Sequence, residues 1–472
     1  MTIGTFNAIP KPLASDAVIE ARDRHKPIRQ MIFLYFVLLI FEGALRKWIL
    51  PGLATPLLVV RDPVLLLIYA MAFGSGVFPL NGFTITAFGL ALANFLTAII
   101  VNPLNIGITF FGLHADFLHL PLIYLMPAVL SIKDVRRYGF YLLLISIPMA
   151  VLVYYQFKSP PTAWINTGAG IGSAQIEVGV DKIRPPGTFS YSTGLTAFAS
   201  LVTAYLLHQF FTVKPLAPKW IFYPAVLSAF VTVGLSCSRT NLVANIILIA
   251  GTLLIPFYQP KLVKSSMKIL VSLSLVFMFA ACYNAFREGM DMLNTRIINS
   301  GGVKTGLVER YVDSLFPFST AAGAPLLGYG IGMGTNAAAG LLYHERSFLL
   351  AEDEWQRVIL ESGPIFGTAY IFLRIAMVIG IFKAAIRSLK QGNTLSMMLF
   401  LAGFIPLLNG QFGQPTALGF TVFTTGLCLA AAGDDPESEP VVPDENVPVT
   451  LHQGKIRGRS VYAERLHEEN NR

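Results

Sequence analysis

Charge and cysteine are both scarce in this 472-residue chain. Only 13% of the residues are charged while 54% are apolar or aromatic, a balance far from the roughly 25% charge of soluble domains, so a soluble globule is excluded. The three cysteines, Cys237, Cys282 and Cys428, lie in or at the edge of apolar runs, are odd in number and lack metal-ligand spacing. They read as small hydrophobes, neither a disulfide framework nor a metal centre. A cleavable signal is also missing: the first apolar run starts near Met31 after a polar, Pro-containing stretch, with no small-residue cleavage site behind it. That run is expected to remain as an anchor. No internal repeat and no matched pair of broken helices occurs, which weakens an inverted-repeat transporter reading.

Apolar runs about 17 to 25 residues long, the length that crosses a bilayer, dominate what is present. They predict an all-α, polytopic membrane helix bundle with spans near 31–50, 57–73, 83–101, 117–131, 139–157, 188–211, 220–237, 240–258, 267–285, 360–383, 396–409 and 416–432. The net charge of +8 is scattered between these runs and forms no patch for nucleic acid. With twelve spans the basic clusters fall in alternate loops: Arg22 to Arg29, Lys133 to Arg137, Lys214 and Lys219, Lys261 to Lys268, and Lys383 to Lys390. The positive-inside rule makes these loops and both termini cytoplasmic. The division that follows is a cytoplasmic segment 1–30, spans one to nine over 31–285, a periplasmic loop 286–357, spans ten to twelve over 358–432, and an acidic, Pro-rich tail 433–472 expected to be disordered.

The long loop holds most of the polar patterning. Leu307, Val308, Tyr311, Val312 and Leu315 recur at helical spacing opposite Glu309, Arg310 and Asp313, which predicts an amphipathic helix; Arg310 either solvates its polar face or works there. GYGIGMG, residues 328–334, has no preceding strand and no third glycine at dinucleotide spacing, so nucleotide binding is rejected. It is a tight loop whose N–H groups either face an anion or make a plain turn against a helix. In EDEWQRVILESGPIFG from Glu352, Glu354, Arg357 and Glu361 have the spacing of i,i+3 and i,i+4 braces. Glu352 and Asp353 sit where carboxylates suit a helix start.

GLSCSRTN puts Arg239 between spans seven and eight. An arginine held deep in hydrocarbon costs about 2.5–3.5 kcal/mol on insertion scales, so Arg239 belongs at the interface or beside an anion. Its planar fork suits phosphate. Arg184, just before Pro185-Pro186, is either a substrate-loop residue or a helix-start marker. His114, His119 and His344 have no helix-like metal spacing, and neither a metal centre nor a cofactor is expected.

Taken in order, RPPGTF from Arg184, Ser238-Arg239, VERYVDSL around Arg310, PLLGYGIG from Pro325 and EDEWQRVILESGPIFG from Glu352 resemble the bacterial O-antigen ligase and O-antigen or exopolysaccharide polymerase superfamily of membrane glycosyltransferases, over roughly residues 180–430. FEGALRKW, with Glu42, Arg46 and Lys47, is similar to a subgroup of it. The resemblance implies a GT-C-like bundle in the bacterial inner membrane, an undecaprenyl-pyrophosphate-linked oligosaccharide donor, a glycan acceptor, and metal-independent inverting transfer at the periplasmic face. It casts Arg239 and Arg310 as stabilisers of the leaving pyrophosphate, and Arg184, Asp353 and Arg357 as substrate-binding residues. The family's base is a histidine opening the last loop helix; here Glu352 and Asp353 occupy the positions of its His and Asn. Glu352 is then the first choice of base and His344 the reserve. A polymerase is the leading expectation, with a chain-length regulator and export proteins as further partners. A ligase is the rival in chemistry, and a secondary transporter the rival from another class.

Overall fold

The computed structural model describes residues 25–170, 172–179, 181–212, 214–265, 267–269, 283–299, 316–317, 323–335, 338–339, 342 and 349–433. Over these the chain is an all-α bundle with one two-stranded ribbon. In chain order come α1 (Lys26–Ala44), prolonged by a π-turn Leu45–Ile49; α2 (Arg61–Gly74); α3 (Gly82–Val101); α4 (Ile106–Leu113), followed by a π-turn His114–Leu118; α5 (Leu120–Val129); α6 (Ile132–Lys158); the strands β1 (Glu177–Gly179) and β2 (Lys182–Ile183); α7 (Ser192–Gln209); α8 (Lys219–Leu235); α9 (Arg239–Tyr258); α10 (Asn284–Asn299); α11 (Glu354–Lys390); α12 (Leu395–Asn409); and α13 (Pro415–Ala432). Among the described residues, eight helical segments are long and apolar enough to cross a membrane. All the expected spans except the ninth fall on described helices; most of the ninth lies outside the described residues, as do the helix expected at 307–315 and the acidic tail.

Side chains sort as a lipid solvent requires, with polar groups inward. On α9 the buried face is Asn241, Asn245, Leu248, Thr252 and Ile255, spaced three and four apart, while Ile246 and Leu254 are exposed. The Thr203 hydroxyl of α7 donates to Asn245 Oδ1 at 2.7 Å, the kind of interhelical hydrogen bond that joins helices where hydrophobic burial cannot. α7 is the central post, buried on nearly every side, and packs against α6, α8, α9, α12 and α13. α3 instead turns Ile85, Phe88, Leu92, Leu96 and Ile100 outward, as a lipid-facing helix does.

Contacts between helix ends define two faces. At one, His208 Nδ1 lies 2.8 Å from the Thr394 hydroxyl, Arg136 donates to Lys214 O and Gln259 to Leu389 O. The basic clusters at 133–137, 214–219, 261–268 and 383–390 gather there. At the opposite face Arg46 reaches Ser190, Lys158 pairs with Glu288 and the Trp355 indole donates to Leu408 O. This second face carries the ribbon, α10 and the start of α11.

α11 is longer than the tenth span expected from sequence because the loop helix runs into it. The join is a break at Gly363 (φ 74°) followed by Pro364, which frees carbonyls that a continuous helix would satisfy. The glycine loop supplies the missing donors: Tyr329 N–H to Leu360 O (2.8 Å) and Gly330 N–H to Glu361 O (3.0 Å). So close an approach needs glycine on both sides. A Cβ on Gly328 (φ 70°) would overlap Glu361 O, and one on Gly363 would overlap Leu326 O.

Gly363→Ala is therefore expected to destabilise the detergent-purified protein by more than about 2 kcal/mol, combining left-handed strain with overlap. Gly52→Ala, with nothing near its Cβ, should leave the thermal unfolding midpoint essentially unchanged.

Candidate functional site

Three groups of polar residues occupy the upper half of the bundle, near the second face. The most deeply buried surrounds Arg357. Its Nε and Nη2 donate to both carboxylate oxygens of Glu354 at 3.0 and 3.1 Å, Nη2 to Asp116 at 2.7 Å and Nη1 to Glu361 at 2.6 Å. Arg374, fully buried, donates to Glu354 at 2.8 Å and spends its other N–H groups on Leu407 O, Pro406 O and Gly410 O. These carbonyls lie at the C-terminal end of α12, where helix carbonyls lack following donors; Pro406 O also accepts from Gly410 N–H. Glu361 also accepts from Gly334 N–H at 2.7 Å, so the glycine loop does face an anion, and that anion is the protein's own. Burying several charges is stable only when every one is paired. The geometry here is that of a brace locking α11, α12, the glycine loop and the π-turn after α4 together.

The second group ties the FEGALRKW stretch to RPPGTFS. Glu42 accepts from Arg61 Nε at 2.9 Å and lies 3.4 Å from Arg46 Nη1. Arg46 continues to Ser190 Oγ at 3.0 Å and Ala54 O at 2.7 Å. Lys47 Nζ donates to Gly187 O at 2.6 Å, and Gln156 brackets Gly187 from both sides. Gly43 permits the contact, since a Cβ there would run into Ser190 N and Thr188 O. The two sequence stretches are thus one clasp, which fixes the loop carrying Arg184.

The third group brings Arg184, Arg239 and Arg296 near one another. Arg184 is mostly buried, and its Nε is sealed from solvent without a hydrogen-bond partner. Burial, then the nearby Arg296 and Arg239, pull its pKa down to about 10. Burial and Arg239 likewise lower that of Arg296, whose Nη1 donates to Cys237 O. Arg239 is the first residue of α9, where the helix dipole favours an anion over a cation. Cys237, near them, is a buried free cysteine. Beside this group a cleft of about 560 Å³ opens between Val178 of β1 and the polar side of α10, including Arg287, Glu288, Asp291 and Arg296. Glu288, its pKa held down first by a hydrogen bond from Lys158, also lies 3.4 Å from Lys182 and binds the ribbon to α6. Chemically, three convergent guanidinium groups beside an open cleft can hold a phosphate or pyrophosphate.

Among the sequence candidates, Arg184 and Arg239 come together. Arg357 lies in the brace, with its N–H groups on three carboxylates. Glu352 is exposed and Asp353 is the residue before α11; the Glu352 backbone carbonyl accepts from Gln411 Nε2. Gln411 bonds Gln414, and Gln414 bonds Thr193 at the start of α7, so a polar line links the 352 region to the end of the Arg184 loop. Arg310 and His344 lie outside the described residues. Sequence reasoning missed Arg296 and the amphipathic α10. The signal was present in Phe286, Gly289 and Leu293 at helical spacing, which are buried, Phe286 and Gly289 against Gly234. No model of a known protein family matches the chain, and no curated protein is similar to it.

Arg357→Met, which strands Asp116 and takes from Glu354 and Glu361 their Arg357 contacts, should cost about 3–5 kcal/mol of stability. Arg184→Gln should cost less than about 1 kcal/mol. Thermal unfolding of the two purified variants reads the difference.

Proposed function

We propose that the chain is a polysaccharide polymerase of the bacterial inner membrane, joining lipid-pyrophosphate-linked repeat units by inverting glycosyl transfer. The observation that carries the reading is the convergence of Arg184, Arg239 and Arg296 beside the cleft, with a buried guanidinium nitrogen left unsatisfied. The sequence resemblance to O-antigen ligases and polymerases supplies the substrate class. In this reading the basic face is cytoplasmic by the positive-inside rule, and the arginine face is periplasmic.

The chemistry follows from the charge. As the bond from the anomeric carbon to the pyrophosphate oxygen breaks, the electron pair stays on the leaving group, and positioned arginines stabilise it more than they stabilise the intact donor. Arg310, outside the described residues, shares that role in this reading. An acceptor hydroxyl attacks the opposite face of the sugar and passes its proton to the carboxylate of Glu352. Asp353 orients the acceptor, and Arg357 acts as a positioning residue that holds the start of α11 beneath them. His344 is the reserve base.

Proteoliposomes given a lipid-linked oligosaccharide should extend it to longer lipid-linked products. Glu352→Gln should slow extension by about 10²–10⁴-fold, the range for loss of a general base, without loss of folded protein. Near-normal extension by that variant moves the role to His344. Transfer to a lipid A core without extension would make the protein a ligase, and solute uptake with no glycan product would make it a transporter.

A further inference from the structure

We propose that Asp62, His114 and His119 form a binding site for a divalent transition metal of the Zn²⁺ class, buried between α2 and the π-turn after α4. One ligand atom from each of the three lies within 4.8 Å of the other two. His114 Nδ1 is 2.8 Å from Asp62 Oδ2 and His119 Nε2 is 3.3 Å from Asp62 Oδ1. Two donors each about 2.0–2.1 Å from a tetrahedral zinc stand about 3.4 Å apart, so these separations suit a shared cation after small adjustment.

The second observation is His114 itself. It is only 9% exposed, yet neither ring nitrogen has a hydrogen-bond partner. Its Nδ1 is at hydrogen-bond distance from Asp62 but off the hydrogen-bond direction, which is how donors look when they point at a common centre. A buried imidazole whose Nδ1 meets a carboxylate only off the hydrogen-bond direction lacks a well-aligned partner, and a metal ion at that nitrogen supplies one.

Local backbone explains why α-helical spacing rules hide the site. In an α-helix, residues five apart sit about 140° apart around the axis. The His114–Leu118 segment is a π-turn, whose i→i+5 bonding widens the turn and brings His114 and His119 onto one side; their rings are 5.2 Å apart. An outer shell is in place as well. His119 Nδ1 lies 3.0 Å from the Tyr35 hydroxyl, so metal binding at Nε2 selects the tautomer whose Nδ1–H donates to Tyr35, as ligating histidines usually do. Arg61, next to Asp62, donates to both Tyr35 and Glu42. Two imidazoles and one carboxylate suit Zn²⁺, Co²⁺ or Ni²⁺ and not the all-oxygen preference of Ca²⁺ or Mg²⁺. Through Arg61 and Glu42 a bound ion would hold α2 against the clasp that positions the Arg184 loop. Its role is structural and independent of the transfer reaction.

The test uses full-length, tag-free protein in detergent, loaded with Zn²⁺ or Co²⁺ and desalted, with metal read by mass spectrometry and Co²⁺ geometry by its visible d–d bands. Wild type should retain about one ion per chain and show tetrahedral Co²⁺ bands, since three protein ligands leave one position for water. Asp62→Asn and His114→Gln, each checked for folding by size-exclusion elution, should retain at least about tenfold less. A wild type that holds no stoichiometric metal, or a folded His114→Gln that holds as much as wild type, overturns the proposal.

Discussion

The rest of the structure depends on one constraint: in an apolar bundle a guanidinium group must find its counter-charge and its hydrogen-bond acceptors inside the protein. Arg357 meets it with Asp116, Glu354 and Glu361, and Arg374 with Glu354 and the carbonyls closing α12. Arg61 and Arg46 share Glu42. Each of these side chains joins elements distant in sequence, so the pairings that make the charges tolerable also set where α1, α2, α11 and α12 stand. The glycines follow from the same need. Gly328 and Gly363 let a loop and a helix end meet backbone to backbone, so that carbonyls freed at the break are satisfied without water.

Set against that order, Arg184 stands out. Its charge is mostly buried beside Arg239 and Arg296, with one nitrogen unsatisfied, at the face where a cleft opens. Unlike Arg357, Arg374 and Arg61, its Nε has no hydrogen-bond partner inside the protein. The clasp from Glu42 through Arg46 and Lys47 holds the loop that carries Arg184, and the Gln411–Gln414–Thr193 line holds Glu352 relative to α7. The stable part of the molecule is thus a frame for two chemically different groups on one face, a cationic one and an acidic one.

Much of the fold was legible in the sequence because lipid imposes long apolar runs, and eleven of the expected spans coincide with described helices. The brace was half legible: Glu354, Arg357 and Glu361 have helical spacing, whereas Asp116 lies 241 positions from Arg357, and no periodicity announces a partner that far away. Arg374 reads as an ordinary intramembrane arginine until the C-terminal end of α12 is seen beside it. α10 was missed because residues 286 onward were read as loop, although its apolar face repeats at three and four. His114 and His119 were set aside on α-helical spacing, and a π-turn leaves no mark in sequence that such spacing can detect. Arg184 and Arg239, which the structure brings near one another, drew notice because arginines at the ends of apolar runs need an explanation that apolar patterning cannot supply.

The central proposal is that the cationic group of Arg184, Arg239 and Arg296 is a pyrophosphate-lipid site, and binding tests it most directly. Native mass spectrometry of the purified protein with undecaprenyl pyrophosphate and undecaprenyl phosphate should show preferential retention of the pyrophosphate. That retention should fall at least tenfold in Arg184→Gln and in Arg296→Gln, as expected when a charge-assisted contact of about 1.5–3 kcal/mol is lost. Equal retention of the pyrophosphate lipid by wild type and by folded Arg184→Gln would contradict the account.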